Sequence, residues 1–140
     1  MNVLLDTNVL SEVVRPRADE AVMRWLSKTP AESLFVSVLT LGEIRKGVER
    51  LEAGAKRDRL REWLETDVPT LFEERILAVD AAVADRWGRL TAQAKRSVPA
   101  VDALIAATAL VHDLRLATRN TADYAFPGLD VFDPWEHESS

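Results

Sequence analysis

The chain has no cysteine, which excludes a disulfide framework, a thiolate zinc site, an iron–sulfur cluster and a cysteine nucleophile. The absence suits a reducing compartment. Histidine is nearly as scarce, since His112 and His137 are the two in 140 residues. They are too few for a histidine-rich metal site and are not placed as a base beside a serine nucleophile. His112 falls at the end of a helical pattern, where it caps the helix or faces solvent. Neither GxGxxG nor GxxxxGK[ST] occurs, so a nucleotide cofactor has no support. No apolar run approaches the roughly 20 residues of a membrane span, and no basic segment precedes the opening run as a secretory signal requires. The expectation is a cytoplasmic, unprocessed chain with no membrane partner.

What is present is the balance of a globule with its own core, 47% apolar against 29% charged residues, in a length that fits one domain over 1–140. No internal repeat, low-complexity tract or Gly/Ser linker interrupts it, and only the closing HESS reads as loose. Short β-rich runs at Asn2–Leu5, Leu34–Val38, Ile76–Val79, Arg115–Thr118 and Leu129–Phe132 alternate with helical patterns. The helices are expected at Thr7–Val14, Asp19–Lys28, Thr40–Leu51, Arg57–Thr66, Ala81–Lys95 and Pro99–His112. In the third, Leu41, Ile44, Val48 and Leu51 make one buried stripe. In the last, Pro99 suits the first helical position while Val101, Leu104, Ile105, Thr108 and Val111 face inward. The runs are apolar on both faces, as parallel strands covered by helices on both sides are. Ligands of such sheets bind at the carboxyl ends of the strands.

Charge points two ways. A net charge of −5 argues against nucleic acid, whose proteins neutralise phosphates with Lys and Arg. Locally the balance differs: Arg45 to Arg61 holds seven basic residues against three acids, and Glu62 to Asp85 holds seven acids against one Arg. The basic block, with Arg45, Lys46 and Arg50 foremost, reads either as a solvated helix face or as a contact for RNA or a protein partner. Trp25, Trp63 and Trp87 lie in helical patterns, where they pack or anchor a partner.

Four acids fall where that sheet edge is expected. Asp6 directly follows the first strand, as an N-cap or as a ligand. Glu43 lies about one turn into the helix after the second strand, beside Gly42, as a surface charge or a site residue. Asp102 stands in the first turn of the Pro99 helix, where the dipole favours an anion, with small Ala103, Ala106 and Ala109 nearby. Asn120 and Asp123 follow the strand RLAT and read alone as turn or cap residues. Segments after three different strands bring these acids to one edge, and carboxylates so close repel unless one stays protonated. A hard divalent cation relieves that repulsion; Mg²⁺ or Mn²⁺ takes oxygen ligands, keeps waters and bridges to phosphate. Setting the four aside leaves 19 acids against 18 bases, so most of the excess acidity belongs to such a site.

These residues resemble the PIN-domain ribonucleases, and within them the VapC-type toxins of bacterial toxin–antitoxin pairs. Asp6-Thr7-Asn8 after the opening strand is similar to the family's first motif, Gly42-Glu43-Ile44 to its second, Val101-Asp102-Ala103-Leu104-Ile105-Ala106 to its third, and Ala117 through Tyr124 (ATRNTADY) to its fourth. The closing Asp133-Pro134-Trp135 resembles the FitB-like branch. The resemblance implies a three-layer α/β/α fold with a central parallel sheet of four to five strands and Mg²⁺- or Mn²⁺-dependent cleavage of RNA. It also implies a cognate antitoxin that blocks the site, a homodimer, and DNA contact only through the antitoxin. Carried over by position, Asp6, Glu43, Asp102 and Asp123 are the acidic residues, with Thr7 and Asn120 in support. Two further readings stand beside it. One is a binding module that holds an antitoxin and acts with little turnover. The other is a phosphohydrolase of another α/β fold, which needs a second Asp where this sequence has Asn8.

Overall fold

Runs of valine and leucine build the centre of a computed structural model in which residues 2–136 are described. Five parallel strands, β1 (Val3–Leu5), β2 (Leu34–Ser37), β3 (Ile76–Leu77), β4 (Arg115–Ala117) and β5 (Val131–Phe132), lie in the order β3-β2-β1-β4-β5. Val3 stands opposite both Leu34 and Arg115, and Leu5 opposite Ala117. The expected parallel sheet is therefore present with all five strands.

Alternation along the strands feeds two cores. Val3, Leu5, Val36 and Ala117 point to a layer built by α1 (Thr7–Glu12), α2 (Glu20–Lys28), α3 (Val38–Glu49), α4 (Ala55–Glu62) and α5 (Val68–Phe72). Leu4 and Leu116 point the other way, onto α6 (Ala81–Gln93) and α7 (Ala100–Val111). Three layers result, as the two-sided apolar runs require. Trp25 meets Phe132 edge to face at 5.0 Å between ring centroids, and Trp63 packs against the same core. Trp87 is at the surface. The Asp133-Pro134-Trp135 stretch ends the sheet: Trp135 packs on the first core, its N–H donates to Asp133 Oδ1, and Arg119 stacks on its ring.

Several boundaries differ from the sequence expectation for identifiable reasons. β2 stops at Ser37, whose hydroxyl accepts from the Leu39 N–H, so Val38 opens a helix instead of closing a strand. The edge strands β3 and β5 are two residues each, paired only with the last two residues of β2 and β4. α1 ends at Glu12, before Pro16, which restricts the residue preceding it. The helix expected to stop at Thr66 instead continues to Phe72: a wide turn over Trp63–Asp67 lets the Val68 N–H reach the Trp63 carbonyl five residues back, and Pro69 then sits in the first turn of α5. In α7 Ile105 and Thr108 face inward as expected, and the alanines extend the buried face around most of the helix. Ala103, Ala106, Ala107 and Ala109 are fully buried, whereas Val111 is exposed. Small side chains let α7 approach both the sheet and α6. His112 closes α7 at the surface; His137 and the HESS tail lie outside the described residues.

Candidate active site

Asp6 leaves β1 with its own N–H still donating to the Ala117 carbonyl, 2.9 Å away, as if the strand went on for one more residue. Its backbone then turns into α1 and its Oδ1 accepts from the Thr7 N–H at 2.9 Å, so it is an N-cap. Capping accounts for only part of its surroundings. The side chain is buried, Oδ2 accepts from the Thr118 hydroxyl at 2.7 Å, and Oδ1 lies 3.3 Å from the Tyr124 hydroxyl. Burial pushes its pKa up against those hydrogen bonds, and Asp102 adds to the rise.

Asp102 arrives from the other helical layer, in the first turn of α7. Its Oδ1 is 3.2 Å from the same Tyr124 hydroxyl. Partial burial raises its pKa, with Asp123 and Glu43 contributing repulsion and Arg96 a smaller opposing attraction. One phenol thus links the two carboxylates. Tyr124 is itself buried, and burial together with the two acids raises its pKa far beyond the ordinary phenol value. It remains a hydrogen-bond donor.

Glu43 is exposed on α3, and its Oε1 accepts from the Thr7 hydroxyl at 2.5 Å. Thr40, fully buried one turn earlier on α3, places its hydroxyl 3.2 Å from that of Thr7. Asp123 is exposed on a short 3₁₀ turn over Thr121–Tyr124, and its backbone carbonyl accepts from Arg96 at 3.0 Å. Asn120 forms that turn through its backbone, receiving the Asp123 N–H and giving its own N–H to the Thr118 hydroxyl. Asn8 joins the ends of β1 and β4, reaching Thr118 with its amide nitrogen and the Arg119 N–H with its oxygen.

The four acids therefore occupy one edge of the sheet in a graded way. Asp6 and Asp102 form the inner pair, while Glu43 and Asp123 act on Asp102 through their charge. Among the described residues, no three carboxylate or imidazole groups stand close enough to surround a metal ion. A closed protein cage is not what a small hard cation requires: Mg²⁺ is commonly held by one or two carboxylates and fills its other positions with water and phosphate oxygen. An all-oxygen pair, desolvated and mutually repulsive, has the donor chemistry for such an ion.

Sequence reasoning missed Thr118, Tyr124 and Thr40 as participants. Thr118 carried the clearest signal, since it directly follows the strand beside β1 as Asp6 directly follows β1. Of the basic block, Arg45 is engaged by Glu49 and Glu65, and Glu49 also holds Arg61. Arg61 is the main reason that the Glu49 carboxyl falls to about 2. Lys46 and Arg50 line a shallow hollow that also includes Glu43.

The PIN domain family model matches residues 3–127. Toxin FitB of Neisseria gonorrhoeae is 40% identical over 136 residues, 95% of this chain and 98% of that protein. VapC ribonuclease Y4jK of Sinorhizobium fredii is 36% identical across 96% of this chain and 98% of its own length. The crystal structure of FitAcB from Neisseria gonorrhoeae contains a chain that superposes with a TM-score of 0.90 at 40% identity, covering 96% of this chain and 99% of that one. A FitAB structure bound to a DNA fragment gives 0.89 at 37% identity, covering 98% of each chain. A family model spanning nearly the whole chain, and relatives matched from end to end on the fold described above, make this chain a member of the PIN-domain family.

Proposed function

We propose that the protein is a metal-dependent endoribonuclease toxin, held inactive by a cognate antitoxin. The observation that carries this reading is the buried Asp6 and half-buried Asp102 converging on the Tyr124 hydroxyl, with two more acids beside them. The membership of a relative named as a VapC ribonuclease, and of another named as a toxin, supports the substrate and the biological role. A neighbouring structure of a toxin–antitoxin complex from Klebsiella pneumoniae, and that of FitAB on a DNA fragment, support the protein partner and a DNA contact made through it.

Asp6 and Asp102 would hold Mg²⁺ or Mn²⁺, with Glu43 and Asp123 on the same edge to orient bound water. The cation supplies Lewis-acid stabilisation of the phosphorane-like charge and a more acidic water. The chain's own contribution is orientation. Thr118 and the Thr7 N–H fix both oxygens of Asp6, so its carboxylate cannot rotate away. Tyr124 spans Asp6 and Asp102 and sets their spacing. Thr7 holds one oxygen of Glu43 and leaves the other for the water that attacks phosphorus.

The test is cleavage of RNA by purified protein freed of its partner, with Mg²⁺, with Mn²⁺ and with excess chelator. Cleavage that requires either ion and is lost in Asp6→Asn supports the reading. Cleavage that persists under chelation, or in Asp6→Asn, overturns it.

A further inference from the structure

Beside the acidic edge, the C-terminal half of α6 and the segment 125–127 enclose a cleft of about 580 Å³. Arg86, Arg89, Lys95 and Arg96 line it, and no carboxylate does. This is unusual on a chain with a net charge of −5. Arg89 pairs with Asp85 at 2.9 Å, but among the described residues Arg86, Lys95 and Arg96 form no ion pair. In the block from Arg45 to Arg61, Arg45 and Arg61 are neutralised by Glu49 and Glu65, and the hollow that Lys46 and Arg50 line also holds the carboxylate of Glu43.

Arg96 is also held in place. Its guanidinium lies 5.1 Å from the centre of the Phe126 ring, and one amino group donates to the Asp123 carbonyl at 3.0 Å. Phe126 is buried, so the platform under the arginine is fixed. Through that hydrogen bond Arg96 touches the backbone of Asp123, one of the four acids, so the basic cleft and the acidic edge are joined at one residue. A polyanion entering the cleft would meet anchored positive charge, then the acidic edge where a divalent ion replaces that charge.

We propose that this cleft binds the backbone phosphates of single-stranded RNA next to the bond that is cut, with Arg96 on the nearest phosphate and Arg86 and Lys95 on those further along. The inference rests on the ribonuclease reading and adds the path of the substrate. Side chains on a helix and on an anchored loop track a phosphate backbone without reading bases, so the contribution is sequence-independent and salt-sensitive.

The experiment has two arms. Cleavage of RNA by the unaltered protein with Mg²⁺ tests the ribonuclease reading. Binding of a short fluorescent single-stranded RNA in chelator, followed by anisotropy across a salt series, tests the cleft. The double variant Arg86→Gln/Lys95→Gln is expected to bind about fivefold to tenfold more weakly and to lower the slope of log affinity against log salt by about 1.4, since each lost phosphate contact on a single strand removes about 0.7. Arg17→Gln/Lys28→Gln makes the same charge change on and before α2 and is expected to leave the slope unchanged. If the unaltered protein cleaves RNA and the cleft variant keeps its slope, the cleft is overturned and the ribonuclease reading stands. An equal fall in the control pair also overturns it, because net charge alone then accounts for binding. So does loss of antitoxin binding with an unchanged RNA slope, which assigns the surface to a protein. If the unaltered protein neither cleaves nor binds RNA, both readings fail.

Discussion

A phenol has one proton to donate, and Tyr124 stands between two carboxylates that both lie within reach of it. The hydroxyl lowers the pKa of each acid, so it offsets part of what burial does to Asp6 and Asp102. Tyr124→Phe keeps the ring that fills the core and removes only that donor. It is expected to destabilise metal-free protein by about 1–3 kcal/mol, the usual cost of losing a hydrogen bond to a charged group, as read by chemical denaturation in chelator. Asp102→Asn is expected to behave in the opposite way. Its amide oxygen can still accept from Tyr124, and the change relieves repulsion from Asp6, Glu43 and Asp123. Without metal the variant is expected to melt at or above the temperature of the unaltered protein, and to lose most of the stabilisation that Mg²⁺ or Mn²⁺ gives it. A variant that is clearly less stable in chelator yet responds fully to metal would make Asp102 a helix-start residue only. Asp6 and Asp102 were legible in the sequence because strand ends and a proline-led helix start have local signatures. Tyr124 was not, because nothing local shows that the ring one residue after Asp123 turns inward to meet both acids.

Elements place those residues, and α7 does so through what it lacks. Its fully buried alanines allow the close packing against the sheet and α6 that brings Asp102 toward Asp6. Ala106→Leu is expected to cost about 1–3 kcal/mol by overpacking and to lower RNA cleavage as well, since Asp102 lies one turn before it. Denaturant titration and initial rates on the same preparation check both effects. Helical periodicity pointed to Val101, Leu104, Ile105, Thr108 and Val111 as the inward face of α7; the structure buries Ile105 and Thr108, leaves Val111 exposed and adds the alanines. A helix wedged between a sheet and another helix is buried nearly all round, so an amphipathic stripe loses its meaning. The α3 stripe was readable because that helix has one solvated side: Ile44 and Val48 are buried, while Glu43, Lys46 and Gly47 are exposed. The continuation of α4 into α5 was hidden for another reason. Pro69 signals a stop to any local rule, and only the widened turn before it lets the helical path go on.

At the scale of the whole molecule, the site's electrostatics become a dependence of folding on pH. Asp6 and Asp102 both have folded-state pKa values above their ordinary ones, with burial as the first cause. The folded state holds those protons more tightly than the unfolded chain does. Their favourable contribution is therefore fully present below the unfolded pKa and is lost as pH rises through the folded one. Metal-free protein should accordingly gain stability from this pair as pH falls from neutrality toward the ordinary carboxylate range. Other carboxylates act in reverse, and Glu49 is the clearest: held at about 2 by Arg61 and Arg45, it stabilises above its unfolded pKa and withdraws that help only as pH falls below about 4.5. The two effects have opposite signs, so the difference between the thermal melts of the unaltered protein and of Asp6→Asn across the acidic range reports the buried acid. Saturating Mg²⁺ should reverse the trend, because a cation binds the ionised acids and competes with protons, making the protein more stable as pH rises toward neutrality. Asp6→Asn should flatten the chelator profile by removing the more deeply buried of the two groups. A chelator profile that falls steadily on acidification from 7, unchanged by Asp6→Asn and by Mg²⁺, would mean that the pair bears no such strain and that the edge of the sheet is not a cation site.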